Sequence, residues 1–110
     1  MNKYTELSDF EINKKVAESL KLNTIAYERT EIVLFDDMDA TPFDPCNNPT
    51  DAMPIIIENG ININFNVDHY DEDKVSAFKS IEIYSITKNI YRSAMEVFLM
   101  MRDAERETNT

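Results

Sequence analysis

The sequence predicts an α+β fold: a small, mostly antiparallel sheet packed by an N-terminal and a C-terminal helix, with a long, ordered acidic loop. Three observations carry this. A capped helical segment opens at Ser8, a broadly apolar helical segment closes the chain, and short β-branched and aromatic runs lie between them. At 110 residues and 43% hydrophobic, the chain has the length and the apolar content of one domain. Residues 1–106 are expected to form it, with 107–110 as a frayed tail.

The first helix is marked by capping-box spacing. The Ser8 hydroxyl can accept from the Glu11 amide while the Glu11 carboxylate reaches back to the Ser8 amide, and Leu7 and Ile12 sit at the staple positions. Ile12, Val16 and Leu20 then recur every four residues as an apolar stripe, and the helix is expected to end over 21–23. Residues 24–27 and 31–35 read as two strands of a hairpin around polar 28–30. Residues 36–49 are rich in Asp, Asn and Pro without periodicity, which predicts a loop, and loops this long in small domains often carry function.

Thr50 is expected to cap a short second helix, with Asp51 and Pro54 in its first turn and Gly60 closing it in the left-handed conformation. Ile61, Ile63, Phe65 and Val67 alternate with Asn62, Asn64, Asn66 and Asp68, the pattern of a strand with one buried face. Residues 69–74 read as a charged turn and 80–86 as a further strand, with Ile81 and Ile83 inward and Glu82 outward. The last helix is expected over 89–105. Its apolar residues, from Ile90 to Met101, cover most of the circumference, which marks either a central core helix or a homodimer surface.

Charge is the other strong signal. The net charge is −10, and no Lys or Arg occurs between Arg29 and Lys74, an interval that holds eleven acids. The remaining ten acids face eleven bases, so the whole excess belongs to the middle of the chain. Such a field repels nucleic-acid phosphates and anionic membranes, which excludes direct nucleic-acid binding, and attracts cations or basic protein surfaces. No apolar run approaches the ~18 residues of a membrane span, and the polar opening has no signal-peptide character. The lone cysteine, Cys46, agrees with a reducing compartment.

Three strings resemble the NinX-like family of small proteins encoded by lambda-like phages and prophages. They are YTELSDFEIN at 4–13, DPCNNPTDAMPIIIE at 44–58 and RSAMEVFLMM at 92–101. The chain departs from the family pattern at Met53, where Trp is usual, and at Ile90, where Pro is usual. The resemblance implies an accessory phage protein in the host bacterial cytoplasm and supplies no mechanism.

No catalytic or metal-binding residues and no cofactor are assigned. A zinc site would have to combine the single histidine, His69, with Cys46 and carboxylates, without ligand-pair spacing. A calcium loop starting at Asp71 fails at Val75 and Ser76, where a ligand oxygen and a glycine are needed. Cys46 lies beside Asp44, and nearby negative charge raises a thiol's pKa rather than activating it. One glycine cannot build a phosphate-binding loop, and Glu72-Asp73-Lys74 matches the short carboxylate-x-lysine element of nucleases only in a turn among acids. The leading expectation is a non-enzymatic phage protein that binds a basic surface on a host or viral protein, with mimicry of DNA as one form. The candidate residues are Asp36, Asp37, Asp39, Asp44, Asn47, Asn48, Asp51, Asp71, Glu72 and Asp73. The alternative is a small carboxylate-based divalent-metal enzyme or nucleotide-handling protein. It needs acids converging in a pocket, whereas mimicry needs them spread over a convex face.

Overall fold

In the computed structural model, which describes residues 2–65 and 74–108, the elements run α1 (Asp9–Ser19), β1 (Thr24–Tyr27), β2 (Ile32–Phe35), α2 (Pro49–Glu58), β3 (Asn62–Asn64), β4 (Val75–Phe78), β5 (Tyr84–Thr87) and α3 (Ile90–Thr108). The α+β expectation holds, but the strands divide into two antiparallel sheets, β1-β2 and β3-β4-β5. Helix α3 touches β4 and β5 and also α1 and α2. That central position explains its wide apolar arc: Ala94, Met95, Val97 and Phe98 are fully buried, and every residue from 92 to 99 is buried. The arc is therefore consumed by the core.

Helix α1 begins as its sequence specifies. The Ser8 hydroxyl accepts from the Glu11 amide at 3.1 Å, while the Glu11 carboxylate accepts from the Ser8 hydroxyl at 3.2 Å instead of from the Ser8 amide. Only half of the expected box forms. Phe10, Asn13 and Ala17 join Ile12 and Val16 on the buried side, and Lys21 takes the left-handed conformation (φ 57°) that ends the helix. Leu22 and Lys21 donate to the carbonyls of Ala17 and Glu18, the paired bonds of a Schellman motif.

The hairpin pairs Thr24 with Phe35 and Tyr27 with Ile32, as expected. Beyond it, residues 36–49 are not one loop. Phe43 donates to Val33 and Phe35 donates to Thr41, so 41–43 runs beside β2 and only 36–40 projects as a tip. The Phe35 and Phe43 rings meet edge-on at 5.6 Å and fix this return.

The second helix corrects its expected start. Asn48, not Thr50, is the cap, accepting from the Thr50 amide at 2.9 Å, and Pro49 takes the first helical position, which suits its fixed φ. Pro54 therefore sits inside the helix and not in its first turn. The end is as expected: Gly60 has φ +62°, and Gly60 and Ile61 donate to Ile57 and Ile56 in a second Schellman motif.

The second sheet departs most from expectation. Strand β3 is three residues long, and Phe65, expected inward, is exposed; Asn66, Val67, Asp68 and the turn at 69–73 lie outside the described residues. Strand β4, unforeseen, pairs with both neighbours. The expected strand at 80–86 begins only at Tyr84, because Ser80 to Ile83 form a turn in which the Ser80 hydroxyl accepts from the amides of Glu82 and Ile83. Ile81, expected inward, is 93% exposed, and Ser85 is the buried residue of β5. Helix α3 is capped by Asn89, whose side chain accepts from the Tyr91 and Arg92 amides, and continues to Thr108, beyond the expected 105.

Candidate functional site

The candidate acids and amides separate into two groups with different surroundings. Asp44, Asn47, Asn48 and Asp51 belong to a polar network that ties the loop to the starts of α1 and α3. The Asp44 carboxylate accepts from the Asn13 side chain at 2.7 Å, and the Asp44 amide donates to Asp51 at 2.9 Å. Asn13, in turn, accepts from the Cys46 amide at 3.1 Å. Asn47 donates to Asp9 and Asp44 and accepts from Asn89 at 3.0 Å. These bonds tie the four residues to the fold and accompany the burial of Pro45 and Cys46 in the core, while Asn47 and Asn48 remain exposed. Burial, with the Asp9 carboxylate next in effect, pushes the Cys46 thiol far above its ordinary range, which leaves it an unreactive core residue.

The centre of this network is Arg92, which sequence reasoning missed. Its guanidinium donates to Glu96 at 2.6 Å, Asp9 at 2.8 Å, and the carbonyls of Tyr4 at 2.8 Å and Leu7 at 2.7 Å. Glu96, 1% exposed, also accepts from Ser85 at 2.8 Å and Asn2 at 2.6 Å. Burial alone would lower the Arg92 pKa, but the hydrogen bonds it donates to Glu96 and Asp9 outweigh this and hold the charge firmly in place. One signal was present in the sequence: Arg92 and Glu96 have i,i+4 spacing and are the only charged residues in the largely apolar stretch 90–101. A second knot joins the Tyr4 hydroxyl and Lys3 to Asp103.

Asp36, Asp37 and Asp39 form the other group. All three are exposed at the 36–40 tip, and the Asp37 carboxylate accepts from the amides of Asp39 and Ala40 at 3.0 and 2.8 Å. This short bonded turn gives the tip a defined shape and leaves two carboxylates pointing away from the fold's own bonding. Between them stands Met38, fully exposed at 102%. Asp71, Glu72 and Asp73 lie outside the described residues.

A cleft of about 420 Å³ runs between the start of α1, β2 and the loop, with Asp9, Glu31 and Asp44 among its lining residues and no base. Among the described residues, no three His, Cys, Asp or Glu side chains come together as a metal site. No helix among them is long and apolar enough to cross a membrane.

These features define a small acidic α+β domain whose described candidate carboxylates divide between an internal network and an exposed loop tip. The chain belongs to the family described as Bacteriophage P22, NinX, whose model matches residues 3–102. It is thus a phage accessory protein. No curated protein and no solved structure matches it.

Proposed function

We propose that this phage accessory protein works in the host bacterial cytoplasm by binding a basic surface on a host or viral protein through its acidic tip. The observation that carries the reading is the division of the carboxylates. Asp44 and Asp51 are held by the fold, while Asp36 and Asp39 are exposed on a defined turn with no bond of their side chains into the core. No Lys or Arg lies between residues 29 and 74 to neutralise them. A turn of defined backbone shape loses little backbone freedom on binding, and its exposed carboxylates attract a basic surface over about a Debye length, ~8–10 Å at ordinary ionic strength. A partner site built for nucleic-acid phosphates has this complementary charge, so mimicry of DNA is the form of the proposal that fits best.

Affinity capture from the natural host at low and high salt tests the reading, with the Asp36→Asn, Asp37→Asn, Asp39→Asn triple variant as the comparison. A partner retained by the wild type at low salt, and lost both at high salt and with the variant, supports it. Equal retention by both proteins contradicts it. A rise in Tm on adding magnesium, abolished in the triple variant, would instead establish the divalent-metal reading.

A further inference from the structure

The outer face of the β3-β4-β5 sheet exposes apolar side chains that the core does not use. Strand alternation turns Ala77 and Ser85 inward and leaves Phe78, Tyr84 and Ile86 outward at 39, 49 and 47% exposure. Phe78 stands directly across from Tyr84, and Ile81 joins them from the turn at 93% exposure. Together they line a shallow cavity of about 400 Å³. Clustered exposure of this kind marks an interaction surface, unlike singly scattered apolar residues.

Charge narrows the choice of occupant. In a chain of net charge −10, residues 74–88 hold three lysines and one carboxylate, Glu82. Val75 pairs with Thr87, so Lys88 stands at one end of the face, while Lys79, whose Nζ donates to the carbonyls of Asn59 and Gly60 at 3.1 and 3.3 Å, lines the cavity at the other and keeps its charge there. The face therefore suits an apolar side chain flanked by carboxylates. The chain itself carries such a segment: the fully exposed Met38 between Asp37 and Asp39, in the tip that follows β2 of the other sheet.

We infer that the outer face of β3-β4-β5 receives the 36–39 tip of a second copy of this chain. Met38, unbranched and polarizable, fills the cavity beside the Phe78 and Tyr84 rings, and its neighbouring aspartates meet the positive charge of Lys79 and Lys88. The contact joins two different patches, so it is heterologous. Each copy offers one tip and one face, and association continues past the dimer unless a ring closes. This inference does not rest on the proposed basic partner; a tip seated on a second copy is simply withdrawn from any other.

Sedimentation of the purified full chain over a range of concentrations tests it, with far-UV circular dichroism to confirm that each variant folds. Wild type should grow in mass beyond the dimer as concentration rises, and less so at high salt. Met38→Asp and Ile81→Asp, both at exposed positions, should each weaken association by about tenfold or more. An equimolar mixture of the two should restore a dimer and stop there, because one variant keeps its face and the other its tip. Met38→Leu should associate nearly as wild type does. A wild type that stays monomeric at all concentrations, association unchanged by Met38→Asp, or a mixture that forms no dimer would each overturn the inference. Because only the purified chain is used, these outcomes leave the basic-partner proposal to its own test.

Discussion

Replacing Arg92 with Met tests how this fold holds its N-terminal segment. Met preserves much of the buried stem but removes every donor, leaving Glu96 without its charge partner and the Leu7 carbonyl without the guanidinium, while the Tyr4 carbonyl keeps the Leu7 amide. Breaking one side of a buried ion pair costs roughly 3–5 kcal/mol, because a desolvated charge is left behind. Glu96 keeps Asn2 and Ser85 as donors, which argues for the lower part of that range. The Asp9 arm adds at most ~1 kcal/mol, since that carboxylate is 45% exposed and screened by solvent. A loss of about 3–4 kcal/mol is therefore expected, a large share of the ~5–15 kcal/mol that keeps a domain folded. Urea denaturation reads it as a lower midpoint at unchanged slope. The Arg92→Met, Glu96→Leu double variant should recover part of the loss, because an apolar pair of similar volume needs no desolvated charge. A single variant within ~1 kcal/mol of wild type, or a double variant whose loss equals the sum, would refute the assignment of Arg92 as the organising charge.

Three further outcomes follow from the same geometry. Phe98→Ala should cost roughly 3–5 kcal/mol, since the ring is fully buried at the centre of the core, and a melt within a degree or two of wild type would contradict that. Ser8→Ala should cost about 1 kcal/mol in urea denaturation through the lost cap, and Glu11→Ala clearly less, because Glu11 meets the hydroxyl and not the backbone. Burial alone would raise the Asp103 pKa, but hydrogen bonds from Tyr4, Lys3 and Arg106 overcome it and hold it below the ordinary carboxylate value. Its contribution is therefore present above its unfolded pKa of about 4 and lost as pH falls through the lower folded value. Asp103→Asn should flatten the acid side of the stability–pH curve, measured by melting between neutral and strongly acidic pH.

The parts of the fold legible in the sequence are those set by local chemistry. Ser8 with Glu11, Gly60 after its helix, and the arc of α3 each specify their structure through neighbours three or four residues away. The second sheet was harder because its strands are three or four residues long, too short for alternation to fix register. At 80–86 the apolar alternation of Ile81 and Ile83 pointed to a strand, while Ser80 competed by capping a turn with its hydroxyl. The candidate surface was legible as charge but not as roles. Only the fold reveals that Asp44 and Asp51 serve Asn13 and the loop backbone, whereas Asp36 and Asp39 face solvent. Arg92 escaped notice because its partners, Tyr4, Leu7 and Asp9, lie more than eighty residues away in the chain.

The acidic tip is tested most directly by the rate at which its captured partner associates, followed against ionic strength and in competition with duplex DNA. The account predicts an association rate that falls steeply with salt for the wild type and is slower and nearly salt-independent for the triple Asp-to-Asn variant, with DNA displaced by the wild type alone. A salt-independent rate for the wild type, or a triple variant that binds and displaces DNA equally well, would contradict it.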